Sequence, residues 1–317
     1  MHLDPLPRRA WLARVAASLL AGTGIARAAA PRTAITVGYT ANADFGAAFI
    51  AKERGYFEQR GLDVKLQLIA LSSTIPAALV SESMEIGGTT PPLVMQAVQG
   101  GLDLVCLASG ATYSAALKQF QVMARTGAGI RGPQDLVGRK VAVPGFNATL
   151  HLLVRRWLAR NGVDWKQVSF VEVPLMQSPT VLAGGTVDAM ATIEPFVTRI
   201  VQAGSGTPMA GFVESSPDGA ATVLWAATRK WATSHGAQVA AFRQSLAEAV
   251  AFANSNRAAA LEDIAKYFKL PPEARAAVPF PVLQSGIEDR HLRFWVDTMR
   301  DQGMLTAQPV VSSLLLR

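Results

Sequence analysis

A loop near the middle of the chain has the residue types of a ligand-binding loop. The run Val141–Val143 predicts a short strand, and the apolar residues from Leu150 to Leu158 recur at helical spacing. Between them lies Gly145-Phe-Asn-Ala-Thr149, in which Asn147 or Thr149 can cap the helix. The first backbone N–H groups of a helix have no intrahelical partner and carry the positive end of its dipole, so this junction suits an anionic or polar ligand.

Polar residues also follow two predicted strands near the start of the chain. Ala34–Tyr39 and Val64–Ile69 have strand patterns, and Gly46–Gly55 between them has a helical one. Such alternation implies βαβ units and a mainly parallel sheet, in which ligands lie beyond the carboxyl ends of the strands. The candidates at those ends are Asn42, Asp44, Ser72, Ser73 and Thr74. For Asp44 we favour a second role, as the cap of the helix that begins near Phe45.

An internal repeat places the loop Gly145–Thr149, called the central loop below, between two similar halves of the chain. A helix-like Pro76–Leu79 precedes Thr89-Thr-Pro91, and a helix-like Pro179–Leu182 precedes Thr192-Ile-Glu-Pro195. In each copy the last leucine is followed six residues later by an acidic residue and then by a short apolar strand. The two copies flank the central loop. This arrangement predicts two α/β domains that face each other across a cleft, which is a common position for a ligand site.

Composition and charge narrow the class of protein. The chain has 317 residues, of which 50% are hydrophobic and 17% charged, enough for two globular α/β domains. Its formal charge is +7, but the basic residues are dispersed and no basic run with interleaved aromatic residues occurs. We therefore expect no nucleic-acid partner.

The first residues predict export. Arg8-Arg9 precedes an apolar run from Trp11 to Ile25, and small residues near Ala28 offer a cleavage site. We predict a twin-arginine-like signal over residues 1–28 and a mature protein in the periplasm. An uncleaved anchor is the alternative, but the run is shorter than the roughly 20 apolar residues that a span needs.

The sequence does not predict catalytic chemistry. No HExxH, GxSxG or GxxxxGK motif occurs, and the four histidines are far apart. The single cysteine, Cys106, can form neither an intramolecular disulfide nor a cysteine metal cluster, and we expect it to be a buried thiol. We expect no catalytic residues, no metal site and no cofactor.

Short motifs in a fixed order, from about Ile35 to His235, resemble exported binding proteins of ABC importers. The resemblance is to the nitrate/sulfonate/taurine and thiamine-precursor group. The motifs are Gly55-Tyr-Phe57, Gly61-Leu-Asp-Val64, Glu85-Ile-Gly-Gly88, Asp135-Leu-Val-Gly-Arg-Lys140 and Glu194-Pro195. What this implies is a type II-like periplasmic binding protein with two parallel-rich α/β domains joined by two crossing strands. The crossings are expected near Gln121–Gly127 and Thr222–Thr228.

The resemblance also implies domain limits and ligand-holding positions. Residues 29–124 and 226–317 form the first domain, with a helical C-terminal part, and residues 125–225 form the second. Carried over residue by residue, the ligand-holding positions are Asn42, Ser72, Thr89, Thr90, Gly145, Phe146, Asn147, Thr149 and Glu194.

Two of these positions make specific predictions about the ligand. The family often has Gly-Ser where this chain has Gly145-Phe146, so Phe146 either contacts a flat or apolar part of the ligand or packs under the hinge. An ionised Glu194 in the cleft calls for a cation or an N–H donor, which favours a zwitterion such as an aminosulfonate, or a heterocycle. A structural salt bridge or a hinge contact is the alternative for Glu194.

Together these features predict the solute-binding component of an ABC importer. We expect a monomer that captures a small anionic or zwitterionic organic ligand, sulfonate- or taurine-like, by domain closure and delivers it to an ABC permease in the inner membrane. The alternatives are a pyrimidine or other heterocyclic ligand, and a periplasmic sensing subunit. A pyrimidine-synthase-type enzyme is disfavoured, because the cysteine-rich motif of those enzymes is absent from a chain with Cys106 alone.

Overall fold

The computed structural model describes residues 32–212, 216–268, 275–306 and 311–316. From residue 32 onward the chain forms one compact unit with two β-sheets. The predicted export signal, residues 1–28, lies outside the described residues. No helix in the described ranges is long and apolar enough to cross a membrane.

Strands and helices alternate along most of the unit. The strands are β1 (Thr33–Tyr39), β2 (Leu62–Leu68), β3 (Ile86–Thr89), β4 (Leu104–Thr112), β5 (Phe120–Arg125), β6 (Lys140–Val143), β7 (Ser169–Glu172), β8 (Ala189–Ile193), β9 (Gly206–Pro208), β10 (Ala221–Thr228) and β11 (Val282–Leu283). The helices are α1 (Gly46–Glu53), α2 (Tyr56–Gln59), α3 (Ile75–Val80), α4 (Pro91–Gln99), α5 (Thr149–Arg160), α6 (Ser178–Ala183), α7 (Phe196–Gln202), α8 (Arg229–Ser234), α9 (Gly236–Ser255), α10 (Arg257–Ala265) and α11 (Asp289–Asp301).

Both sheets are mixed, with parallel pairs on one side of each sheet and antiparallel pairs on the other. The first has the order β11-β4-β10-β3-β1-β2, with β1 parallel to β2 and β3 and with β10 antiparallel to its neighbours β3 and β4. The second has the order β7-β6-β8-β5-β9, with β6 parallel to β7 and β8 and with β5 antiparallel to β8 and β9. The predicted α/β architecture with two sheets is confirmed.

The chain passes between the sheets earlier than the sequence predicts. It leaves the first sheet through residues 113–119 and is back in that sheet at Ala221, where β10 begins, although the predicted crossings were Gln121–Gly127 and Thr222–Thr228. Those predicted positions are wrong, because β5 lies wholly in the second sheet and β10 wholly in the first. The limits drawn after residues 124 and 225 therefore cut through two strands, and the division into domains stays a prediction.

An inner strand of each sheet is buried along its whole length, as its apolar composition predicts. Every residue of β4 and of β8 is buried, and Cys106 on β4 is the buried thiol that the sequence predicts. In the first sheet, Trp225 on β10 packs against Phe45, with ring centroids 4.9 Å apart. This contact fixes the turn that follows β1 against the strand that returns from the second sheet.

The C-terminal helices join the first sheet to one helix of the second. Trp295 on α11 donates its indole N–H to the carbonyl of Ala221 on β10 at 2.7 Å. Just beyond α11, Gln302 donates to the carbonyl of Leu152 on α5 at 2.9 Å, and Asp301 lies 3.7 Å from the guanidinium of Arg156. Helix α5, which begins at the central loop, is therefore held by both halves of the unit.

Candidate functional site

A small cavity of about 30 Å³ lies where the strand ends of the two sheets face each other. Hydroxyl and amide groups form one part of its wall: Thr40, Asn42, Ser72, Thr89, Thr90, Thr149 and Thr222. Apolar side chains form the rest, including Phe120, Leu150, Leu175, Ile193 and Val223. None of the described residues that line the cavity carries a charge. The wall therefore suits a small ligand with hydrogen-bonding oxygens and an apolar part.

Five of the nine predicted residues come together in this wall: Asn42, Ser72, Thr89, Thr90 and Thr149. Asn42 follows β1 and caps the 3-10 turn at Ala43–Phe45, where its Oδ1 accepts the N–H of Asp44 at 2.8 Å. Ser72 begins a 3-10 turn after β2. The carboxyl ends of β1, β2 and β3 thus supply the wall of the first half, as the parallel-sheet argument predicts.

Two neighbouring hydroxyls in the wall have no protein partner. Thr89 ends β3 and Thr90 precedes α4, and the Oγ1 atoms of both are buried without a hydrogen bond. A buried polar atom left unpaired costs roughly 1–3 kcal/mol. These two hydroxyls are therefore suited to donate to a ligand that enters the cavity.

The central loop approaches the first half closely. The Thr149 hydroxyl donates to the carbonyl of Thr222 at 3.0 Å, which joins the start of α5 to β10. Gly145 does not line the cavity but lies against Ser72, so close that a Cβ at Gly145 would overlap the Ser72 Oγ. The absence of a side chain at Gly145 is what permits this approach.

Phe146 and Asn147 lie outside the cavity wall. Phe146 is 40% exposed and its N–H donates to the Glu172 carboxylate at 2.5 Å. Asn147 has a positive φ of 61°, and its N–H donates to Nδ1 of His151 at 2.9 Å. These two N–H groups are thus bound within the protein. The backbone N–H groups that remain available to a ligand are those of the first turn of α5.

The predicted cap of α5 is wrong. The N-cap residue is Ala148, and no side chain accepts a hydrogen bond from the start of the helix. Asn147 lies one residue before the N-cap and has a left-handed backbone, and the Thr149 hydroxyl is bonded to Thr222. Since Ala148, Thr149 and Leu150 line the cavity, the uncapped end of α5 faces it with the positive end of its dipole.

Glu194 is not brought into the cavity. Its carboxylate accepts the backbone N–H of Thr198 at 3.1 Å and the Thr198 hydroxyl at 3.0 Å, at the start of α7. Burial raises the pKa of this carboxyl, and the Thr198 bonds oppose the rise. The geometry is that of a helix-terminal carboxylate, which differs from the salt bridge or hinge contact named as the alternative for this residue.

Asp44 is a buried carboxyl beside the cavity and not a helix cap. It is 1% exposed, its Oδ2 accepts the Thr222 hydroxyl at 2.6 Å, and its Oδ1 lies 3.3 Å from the Gln119 amide nitrogen. Burial raises the pKa of Asp44 to about 7, although these two hydrogen bonds lower it. Gln119 ends the first crossing segment and Thr222 lies near the start of β10, both far from Asp44 in sequence, so local sequence offers no sign of them.

Sequence reasoning missed part of the wall. Phe120 and Thr222 lie at the starts of β5 and β10, which were predicted as crossing positions, and Leu175 and Ile193 are apolar. The polar residues at strand ends could be found by their type. An apolar lining residue has no such signal, because it has the same composition as the core.

Comparison with known proteins identifies the family of the chain. The model of the NMT1/THI5-like family matches residues 42–260. The taurine-binding periplasmic protein of Escherichia coli (strain K12) is 27% identical over 238 residues, which are 73% of this chain and 70% of that protein.

Two solved structures have a similar fold. The alkanesulfonate-binding protein SsuA from Xanthomonas axonopodis pv. citri, bound to MOPS, has a TM-score of 0.75 at 20% identity, over 91% of this chain and 100% of that chain. The periplasmic nitrate-binding protein NrtA from Synechocystis PCC 6803 has a TM-score of 0.74 at 17% identity, over 89% of this chain and 85% of that chain. The chain belongs to the NMT1/THI5-like family and has the fold of the periplasmic binding proteins.

Proposed function

We propose that this protein is the periplasmic solute-binding component of an ABC importer and that its ligand is a small organic anion of the sulfonate type. Family membership and the likeness to a taurine-binding relative support the first part. The observation that carries the second is the cavity wall, which combines the unpartnered hydroxyls of Thr89 and Thr90 with the uncapped start of α5.

The chemistry of the wall fits an anion held without a cationic side chain. Hydroxyl donors and the N–H groups of a helix start form charge-assisted hydrogen bonds to an anionic oxygen, and those are about twice as strong as bonds between neutral groups. A sulfonate offers three such oxygens. Its organic part would lie against the apolar side chains of Phe120, Leu175 and Ile193.

The proposal favours a simple anion over a zwitterion. An ammonium group desolvated in the cavity needs a carboxylate or several acceptors. Glu194, the residue predicted for that role, is bonded to Thr198. Among the described lining residues no other carboxylate takes its place.

Capture is proposed to occur by closure of the two halves around the ligand, with no bond made or broken. The ligand contacts Thr89 and Thr90 on one side and the start of α5 on the other, so it stabilises the closed arrangement more than the open one. The permease would then recognise the closed form. Export to the periplasm and the monomeric state belong to the same proposal.

Isothermal titration of the ligand-free protein tests the function. The panel is ethanesulfonate, taurine, nitrate and an aminopyrimidine, and we expect ethanesulfonate to bind most tightly. Thr89→Val and Thr90→Val keep the side-chain shape and remove the hydroxyl, so each is expected to weaken binding about tenfold. Thr207→Val, at an exposed position on β9, is the matched control.

The outcomes separate the candidates. Failure of every sulfonate to bind, or hydroxyl-deleted variants that bind as the control does, would refute the proposed ligand class. Tight binding of the aminopyrimidine alone would favour the heterocyclic alternative, for which the Phe120 ring in the cavity wall offers a stacking partner.

A further inference from the structure

Asp44 is a carboxyl group that the cavity chemistry described above does not use. It lies one layer behind the wall, joined to it through two residues that line the cavity. The Thr222 hydroxyl donates to its Oδ2 at 2.6 Å, and its own N–H is held by Oδ1 of Asn42 at 2.8 Å. An anion bound to the wall would therefore be separated from the Asp44 carboxyl by about one residue side chain.

The partners of Asp44 are neutral. Thr222 and Gln119 donate hydrogen bonds to it, and no described cationic side chain forms an ion pair with it. Titratable groups on the elements that pack against its turn, namely α1, β4, β10, β11 and the crossing segment 113–119, are Lys52, Glu53, Cys106, Tyr113 and Lys118. Lys52 and Glu53 occupy the last turn of α1 and pair with Glu58 and Lys266, and Lys118 is exposed.

The hydrogen bonds around Asp44 can adapt to a proton. When the carboxyl is ionised, the Thr222 hydroxyl donates to it. When it is protonated, its O–H can donate to Thr222 Oγ1, because that hydroxyl can turn its own hydrogen to the carbonyl of Ala111, 3.2 Å away. Both forms are hydrogen-bonded, so the site holds the neutral acid without leaving a buried polar atom unpaired.

We infer that Asp44 is a proton-binding site coupled to the ligand: when the cavity binds an anion, the Asp44 carboxylate takes up one proton from solvent. The physical reason is that two negative charges within ~4–6 Å of each other repel strongly in a poorly solvated site, so the neutral form of Asp44 is favoured. One O–H bond forms at Asp44 and nothing else changes covalently. This inference rests on the proposed function, because it takes the ligand to be an anion.

A zwitterion would behave differently. Its ammonium group would favour the ionised form of Asp44 and so oppose proton uptake. Asp44 would then set the preference of the cavity between a sulfonate with an ammonium group and one without.

The experiment is titration calorimetry with ethanesulfonate, whose sulfonate stays ionised throughout, in two buffers with different ionisation enthalpies. Since the pKa of Asp44 in the free protein is about 7, we expect uptake of about half a proton at pH 7 and about one at pH 8. Uptake of this size corresponds to an affinity that falls about thirtyfold between pH of about 6 and about 8.5. Affinity falls as the pH rises because the ligand binds the form of the protein in which Asp44 is protonated, and the population of that form decreases with pH.

Asp44→Asn should abolish both the proton uptake and the pH dependence. Asp63→Asn, at an exposed position on β2, is the matched control and should leave both unchanged. The number of protons taken up by the wild-type protein on binding is measured without any variant, so it tests the inference even if Asp44→Asn fails to fold. Tight binding with no proton uptake between pH of about 7 and about 8 overturns the inference and leaves the proposed function standing. No binding of ethanesulfonate at either pH overturns the proposed ligand class itself.

Discussion

Gly145 shows how a single missing side chain can govern the approach of two halves of a protein. Its neighbour across the cleft is Ser72, and a Cβ at position 145 would overlap the Ser72 Oγ. The backbone at Gly145 does not have the positive φ that demands glycine, so the constraint comes from the space between the loops and not from the local conformation.

Replacement of Gly145 by alanine should therefore weaken binding while it leaves the fold stable. The added methyl group either displaces the Ser72 hydroxyl, which lines the cavity, or pushes the central loop away from it, and each change removes a contact to the ligand. We expect the dissociation constant for ethanesulfonate to rise at least tenfold, measured by calorimetry, with little change in melting temperature.

Gly236→Ala is the control, since a Cβ there meets nothing within 4 Å. An alanine at position 145 that binds as tightly as the control would show that the loops need not approach this closely for capture.

At the scale of one element, the loop before α5 is held by its own helix and by a neighbouring strand. Nδ1 of His151 accepts the N–H of Asn147, and the Glu172 carboxylate at the end of β7 accepts that of Phe146. The His151 ring is buried between Phe146 and Phe170, with centroids 5.5 and 4.7 Å away. Its Nε2 is buried without a hydrogen-bond partner, which lowers the stability of the folded protein.

His151 should consequently affect binding more than stability. His151→Leu removes the acceptor for Asn147 but also removes the unpaired Nε2, so we expect a melting temperature near that of the wild type and a severalfold weaker ligand affinity. His151→Asn offers an oxygen at a similar distance from the backbone and should restore much of the affinity.

The measurement is calorimetric affinity together with thermal unfolding of the two variants. Burial lowers the pKa of His151 to about 3, so its Nδ1 stays an acceptor and this effect should be the same at pH 6 and pH 8. Equal loss of affinity in both variants would mean that the ring shape, and not the hydrogen bond, positions the loop.

The same element shows what the sequence could and could not predict. The sequence predicted the strand, the glycine-containing loop and the helix from Thr149, because the spacing of apolar residues and the presence of turn residues are local signals. The predicted cap was wrong, since the N-cap is Ala148 and Asn147 lies before it with a left-handed backbone that the sequence does not reveal. Asp44 was misread for a similar reason. Its partners lie 75 and 178 residues away, and only the crossing of the chain between the sheets brings them together.

Across the whole molecule, the two halves are joined by more than the crossing segments. Thr149 bonds to Thr222 beside the cavity, and Gln302 beyond α11 bonds to α5 further along the same helix. Both contacts are present in this structure, in which the cavity between the halves is small. We expect them to form together when the halves close.

Small-angle X-ray scattering should detect that closure. We expect the radius of gyration of the ligand-free protein to decrease when ethanesulfonate is added to saturation, because the ligand stabilises the closed arrangement. The Gly145→Ala variant at the same ligand concentration should remain more extended. A radius that is the same with and without bound ligand would count against capture by closure.

The place of β10 has a consequence for how the chain folds. This strand lies between β3 and β4 in the first sheet, although the whole second sheet, β5 to β9, precedes it in sequence. During synthesis the second sheet can form from consecutive strands, while β3 and β4 wait with unpaired edges until Thr228 has emerged. Long unpaired edges invite pairing with other chains. We therefore expect truncation of the chain before β10 to leave the first sheet incomplete and prone to aggregation, although β10 supplies only Thr222 and Val223 to the cavity wall.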